Sequence, residues 1–154
     1  MMTMSMAKRI STGKPSTLNH TPPVPQPDLS RYGADLENWP RSWMGWEKDL
    51  PPGEKLVACF RPFIEHLASS SLTRKTIRKH IDNLWILGGE IIRDLNQTPS
   101  LRRKDVEQIL FDVLDDEGGP LIHNCNSEEL QRSFDSTCRK LRRFLSSIRQ
   151  IKPN

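Results

Sequence analysis

The longest helical pattern of apolar residues runs from Leu72 to Asn96. Its apolar residues recur at intervals of three and four, the spacing that places side chains on one face of an α-helix. They are Ile77, Ile81, Leu84, Trp85, Ile91, Ile92 and Leu95. Thr73 or Ser71 is suited to cap this helix, because a hydroxyl oxygen can accept a hydrogen bond from a first-turn amide. The Gly88-Gly89 pair in its middle predicts a close crossing or local bend, or alternatively a hinge or helix break.

Two shorter stretches with the same periodicity flank this central helix. Residues 54–69 carry the first, and Pro62 within them predicts a kink or two short helices, because proline lacks an amide hydrogen. Residues 97–119 carry the other, which we expect to start at a cap on Ser100 and to end at Gly118-Gly119. A short serine-rich connection between residues 69 and 71 places the first helix beside the central one.

Residues 127–150 form the most regular stripe in the chain. Asn126 followed by Glu129 is similar to a capping box, with Asn in place of the usual Ser or Thr. With the three stretches above, this pattern predicts an all-α fold of about four main helices in a compact, bundle-like arrangement. We expect the helical domain to span residues 54–150.

The part of the chain before residue 54 divides in two. Residues 1–29 are rich in Pro, Ser and Thr and poor in core-forming residues, which is typical of a disordered tail. Residues 30–53 contain Trp39, Trp43 and Trp46, but prolines and a glycine interrupt them and argue against a long helix. We expect an ordered, tryptophan-rich strap whose indoles pack on the helical core. The alternative is an exposed aromatic platform for a partner protein or for base stacking.

Composition narrows the class of protein. The 154 residues are 35% hydrophobic and carry a formal net charge of +4, which permits an anionic partner without requiring one. Cys59, Cys125 and Cys138 lack a CxxC spacing and are typical of reduced thiols. No apolar run approaches the roughly 18 residues of a membrane span, and no secretory signal pattern is present. We therefore expect a soluble, cytoplasmic protein with no membrane partner.

Basic residues form two clusters in the predicted helices. The first lies on the central helix and consists of Arg74, Lys75, Arg78 and Lys79. The second lies on the last helix and consists of Arg139, Lys140, Arg142 and Arg143. Between Asp105 and Gln131, by contrast, there are eight acidic residues and no Lys or Arg, so this segment would repel a phosphate backbone. The eight cations are the candidate nucleic-acid contacts, although a solvated polar face explains each cluster equally simply.

The sequence contains none of the common catalytic signatures. GxSxG, GxxxxGK[ST], HExxH and GxGxxG are all absent, so we expect no enzyme and no cofactor. The acidic run at Asp112, Asp115, Asp116 and Glu117 does not follow a calcium-loop pattern. His123 and Cys125 alone do not make a zinc site. We therefore expect no metal.

The segment Phe63–Leu95 resembles the opening helices of the SAM-like N-terminal, core-binding domain of tyrosine recombinases (the phage-integrase family). The resemblance rests on Ser70-Ser71-Leu72-Thr73, followed by Thr76, Ile77, His80 and Leu84, and on Leu141–Leu145 in the last helix. It implies a DNA-clamping helical domain. The family's catalytic domain is absent and the only tyrosine is Tyr32, so the resemblance implies no strand-transfer chemistry. The central segment is also similar to that of an uncharacterised bacterial family, which implies no function.

The stretch from Leu72 to Leu84 also resembles the recognition helix of a helix-turn-helix, which implies that its cations face the DNA. Two hypotheses follow. The first is a non-catalytic module that binds double-stranded DNA through the basic faces of the second and last helices. The second is a protein-interaction module that uses the tryptophan strap, the proline-rich tail and the acidic third helix. One contiguous basic face would favour the first hypothesis, and two separate faces would favour the second.

Overall fold

The computed structural model describes residues 29–32 and 35–151. In this part of the chain the regular elements are all helices, joined by short loops, with one isolated bridge between Asp115 and Gly118. The predicted tail lies outside the described residues except for Leu29. The five α-helices are α1 (Trp39–Trp43), α2 (Leu50–Ala68), α3 (Arg74–Gln97), α4 (Val106–Val113) and α5 (Glu128–Ile151). Short 3₁₀ turns span Leu29–Tyr32, Leu36–Asn38, Glu47–Asp49 and Pro99–Arg103. The prediction of an all-α fold with four main helices is confirmed.

Helix α2 begins four residues before the predicted start, so residues 50–53 of the predicted strap belong to this helix. Pro51 and Pro52 lie in its first turn, where the helix needs no amide donors. Pro62 lies inside the helix without ending it, so the expectation of two short helices is wrong. The buried stripe that includes Leu56, Phe60 and Ile64 packs against α3 and α4 and keeps the helix continuous.

Helix α3 is the centre of the fold and runs unbroken for 24 residues. Its predicted cap is confirmed, because Thr73 Oγ1 accepts from the Thr76 amide at 3.1 Å. Gly88 is not a hinge. The Trp43 indole lies directly on it, and an added Cβ would overlap the ring. Trp85 is 42% exposed and therefore lies at the edge of the stripe instead of in the core, where it donates from Nε1 to Ser42 at 2.8 Å.

The helix predicted between Ser100 and Gly118 is shorter than expected. A 3₁₀ turn occupies Pro99–Arg103, and the backbone is extended at Lys104 and Asp105 before α4 begins. Helix α4 ends at Val113, well before the glycine pair. The two halves separate because they pack against different parts of the molecule, the turn against α3 and α4 against α2.

Helix α5 begins at Glu128, and Ser127 is its cap. Ser127 Oγ accepts from the Leu130 amide at 3.0 Å, so the capping box predicted at Asn126 and Glu129 is wrong by one position. The cap belongs to Ser127 because its side-chain oxygen is the one that reaches the free amides of the first turn.

A buried polar network joins α3 to α5. His80 Nδ1 lies 2.7 Å from Thr137 Oγ1, and Asn83 Nδ2 donates to Thr137 Oγ1 at 2.9 Å and to the Ser133 carbonyl at 3.2 Å. Residue numbers therefore rise along α3 as they fall along α5, so the two helices are antiparallel. The first turn of α3 consequently lies at the same end of the molecule as the C-terminal half of α5.

The strap is attached to the core through Asp49, whose side chain is fully buried. Its carboxylate accepts from the amides of Gly45 and Trp46 and from the side chain of Asn96. Arg102 Nη2 donates to its other oxygen at 2.7 Å. Burial raises the pKa of Asp49, but these four hydrogen bonds outweigh burial and lower it overall. None of the helices in the described ranges is long and apolar enough to cross a membrane.

Candidate nucleic-acid interface

The predicted cations of α3 lie together on one surface. Arg74, Lys75, Arg78 and Lys79 are all exposed and line one open concavity of about 510 Å³, with Asp82 at its edge. The sequence places them there because they occupy the polar side of an amphipathic helix whose opposite side forms the core. Thr73 caps the same turn, so the positive end of the helix dipole also lies at this surface.

The predicted cations of α5 divide into two groups. Lys140 and Arg143 face the end where α2 and α3 meet, since both line a cleft with His66 of α2. Lys140 is also close to His80. Burial is the main reason why the pKa of His80 is lowered, and the charge of Lys140 lowers it further. Since His80 directly follows Lys79 in the chain, Lys140 lies near the end of α3 that carries the α3 cluster.

Arg139 and Arg142 instead bind the acidic connection between α4 and α5. Arg139 donates to the carbonyl of Glu117 at 3.0 Å, and Arg142 donates to the carbonyl of Leu114 at 2.8 Å. Arg142 also lies 3.4 Å from the carboxylate of Asp116. The acidic connection thus holds both arginines, and the Asp116 carboxylate neutralises part of the charge of Arg142.

Phe111 gives α5 a second contact with α4. The guanidinium groups of Arg142 and Arg149 lie 4.7 and 4.0 Å from the centre of its ring, within the range of cation–π attraction. Arg142 is therefore a structural residue, which its position in a basic cluster did not indicate.

We call the remaining six cations the basic end. They are Arg74, Lys75, Arg78, Lys79, Lys140 and Arg143. No ion pair joins any of them to another residue in the described part of the chain. Four of the six line the concavity on α3 and two line the cleft beside His66, and these two hollows share no residue. The other two predicted contacts, Arg139 and Arg142, lie at the acidic connection.

An aromatic pair beside the basic end was missed by sequence reasoning. The rings of His66 on α2 and Phe144 on α5 lie 5.1 Å apart at an angle of 37°. The helical spacing of the α5 stripe predicts a core position for Phe144, but this residue is only partly buried. Its position directly after Arg142 and Arg143, at the edge of the stripe, was the feature of the sequence that could have indicated its partial exposure.

The three strap tryptophans do not form one platform. Trp39 is buried and packs on Phe60, with ring centres 6.5 Å apart. Trp43 lies against α3, and its Nε1 donates to the Trp85 carbonyl at 2.9 Å. Trp46 alone is exposed, at 63%, with the Lys48 amine 5.7 Å from its ring centre.

The groups weighed as metal ligands are used elsewhere. His123 Nδ1 lies 2.6 Å from a carboxylate oxygen of Glu90, and Asp112 forms an ion pair with Lys104 at 3.5 Å. Asp115 accepts from two amides of its own turn. Within the described ranges, no group of three or more His, Cys, Asp or Glu side chains could hold a metal ion.

No family model, curated protein or solved structure matches this chain. The resemblance to recombinase core-binding domains therefore stays a prediction from short motifs.

Proposed function

We propose that this protein is a non-catalytic DNA-binding module whose contact surface is the basic end. The observation that carries the proposal is the grouping of six cations without ion pairs where α3 and α5 meet. Elsewhere on the described surface, Lys55, Arg61, Lys104 and Arg132 each have a carboxylate partner, whereas the exposed Arg41, Lys48, Arg103 and Arg149 have none. Cations without such partners are free to replace the counterions of a phosphate backbone.

The acidic connection supports the same orientation. Its carboxylates and carbonyls hold Arg139 and Arg142 on one side of α5, away from Lys140. Arg143 lies between the two sides and lines a hollow on each. A duplex approaching the basic end would meet Lys75 and Lys79 from α3 and Lys140 from α5. Such contacts position a protein on DNA without reading its sequence.

The experiment is titration of labelled random-sequence duplex DNA with the full chain at 50 and 200 mM salt. Each phosphate contact adds about −0.9 to the slope of log K against log salt, so six contacts weaken binding by about 10³-fold over this range. Arg78→Ala should weaken binding and reduce the slope by about one. The matched control is Arg132→Ala, an exposed arginine at the start of α5 that forms a long ion pair with Glu128.

Two results would overturn the proposal. One is the absence of binding at 50 mM salt. The other is equal loss of affinity in the Arg78 and Arg132 variants, because binding would then not depend on the basic end.

A second candidate, a protein-interaction module, is favoured by a groove of about 310 Å³ beside the strap. Its apolar lining residues are Pro51, Pro52, Leu95, Val106 and Ile109. Lys48 lines this groove and also lies over the exposed Trp46, so the groove and the indole are neighbours. A photo-crosslinker at position 46 should then give a specific protein adduct that the same probe at position 129 does not. Identical products from the two positions would remove this candidate.

A further inference from the structure

The basic end contains a cleft in which two of its cations lie beside an aromatic wall that phosphate contacts alone do not use. It lies between α2 and α5 and has a volume of about 280 Å³. Phe63 and Leu67 are buried at its floor, while Phe144 is partly buried and His66 is exposed at its wall. Phe144 of α5 lies 5.5 Å from Phe63 and 5.1 Å from His66, both of α2, so the three rings contact one another where the two helices meet.

The mouth of this cleft is positively charged. Lys140 and Arg143 line it together with Ser147, and neither cation has an ion-pair partner among the described residues. The cleft thus joins an apolar aromatic wall to two cations. This combination binds single-stranded nucleic acids, in which the base stacks on a ring while its phosphate contacts Lys or Arg.

We propose that this cleft accepts an unpaired base, so that the protein prefers nucleic acid with a single-stranded segment next to a duplex. The inference rests on the proposed function, since the same basic end would hold the backbone. A base inside a duplex has both faces covered by its neighbours and cannot stack on a side chain. A single-stranded overhang presents such a face without the cost of unstacking the duplex.

The neighbouring surface on α3 is suited to contacts with the nucleic-acid backbone, while the cleft is suited to base stacking. Arg74, Lys75, Arg78 and Lys79 form an open concavity without an aromatic wall, which suits backbone contacts alone. The cleft offers rings to only one or two nucleotides because α2 ends at Ala68, one residue after Leu67. We therefore expect a short single-stranded segment to be sufficient.

The test compares three labelled DNAs that share one duplex. The first is blunt, the second has a six-nucleotide overhang, and the third has the same overhang made of abasic nucleotides. Stacking of a base typically changes affinity by roughly tenfold or more, so the normal overhang should bind at least tenfold more tightly than the abasic one. The abasic overhang carries the same phosphates and measures their contribution separately.

Two variants connect any preference to the cleft. His66→Ala removes the exposed ring and Phe144→Leu removes the aromatic wall while keeping an apolar side chain. Each should reduce the ratio of affinities for normal and abasic overhangs towards one, and Arg132→Ala should leave that ratio unchanged. Circular dichroism of the two variants identifies any loss of folding, and His66 is exposed enough for its replacement to be tolerated.

The outcomes separate this inference from the proposed function. Equal affinity for normal and abasic overhangs, with salt-dependent binding to all three DNAs, would overturn the inference and leave the proposed function standing. A preference that persists in both cleft variants would also overturn it. Absence of binding to all three DNAs would overturn both.

Discussion

Gly88 and Gly89 form a matched pair that tests how the strap packs on α3. Both lie in the middle of the same unbroken helix, so replacing either by Ala gains about 1 kcal/mol of helix propensity. They differ in what the new methyl group meets. At Gly88 it would overlap the six-membered part of the Trp43 indole. At Gly89 its nearest neighbours are Cδ1 and Nε1 in the five-membered part, 3.5 and 3.7 Å away, at ordinary contact distance.

The structure sets the size of the expected difference. Gly88→Ala must displace Trp43, at an overpacking cost of about 1–3 kcal/mol. It also strains the 2.9 Å hydrogen bond from Trp43 to the Trp85 carbonyl, which adds about 1 kcal/mol. After the propensity gain, the free energy of unfolding should fall by about 1–3 kcal/mol. Gly89→Ala should instead raise it by up to about 1 kcal/mol.

Urea unfolding followed by tryptophan fluorescence and by far-ultraviolet circular dichroism measures both changes. Each kcal/mol also corresponds to about 2–4 °C in melting temperature for a protein of this size. Equal stability of the two variants would refute the reasoning, because the Trp43 ring could not then rest on Gly88. A red shift of the native emission in Gly88→Ala alone would show directly that the indole has moved into water.

Two further predictions concern buried groups. Asp49→Asn should lower the free energy of unfolding by about 3–5 kcal/mol at neutral pH, because Arg102 loses its buried anion. The control is Asp105→Asn, which breaks the exposed pair with Lys55 and should lower the free energy of unfolding by no more than about 1 kcal/mol. Since the folded pKa of Asp49 is lowered from 3.8, its contribution to the free energy of unfolding is present above about pH 4 and is lost as the pH falls through the folded pKa. Urea titrations should therefore show the stabilities of wild type and Asp49→Asn converging in acid, and a difference that stays constant with pH would contradict this. Burial raises the pKa of Cys138 to about 12 and that of Cys59 to about 11, so iodoacetamide at pH 8 should modify Cys125 first in the native protein. Peptide mass spectrometry measures the rates, and modification of Cys138 as fast as that of Cys125 would contradict the burial of Cys138.

Helix positions could be predicted from the sequence because helical periodicity is a local property. The stripe that includes Ile77, Ile81 and Leu84 located α3 to within two residues at each end, and Thr73 was identified as its cap. The ends of α2 and α4 were placed less well. Pro51 and Pro52 are typical of a helix end in a sequence, but in the structure they lie in the first turn of α2, where proline is tolerated. Helix α4 starts later than predicted because the 3₁₀ turn before it packs on α3 instead of α2.

The candidate interface could be predicted only in part for a related reason. The clustering of Arg74–Lys79 is visible in the sequence because these residues share one face of one helix. In α5, four cations within five positions look equivalent, yet Arg139 and Arg142 bind the carbonyls of Glu117 and Leu114 and the other two do not. The rotation of α5 about its own axis, relative to α4, decides which cations face the acidic connection. This rotation depends on tertiary packing and cannot be read from the sequence.

The sequence by itself determined the class of fold, the order of its main helices and the presence of two basic clusters, all of which follow from residues a few positions apart. The tertiary structure alone decided the pairs that are distant in the chain: Trp43 on Gly88, Asp49 with Arg102, and His66 beside Phe144. Each pair joins segments more than 40 residues apart, so it exists only after the helices have packed. The packing energy of the whole core, and not any local preference, selects these partners.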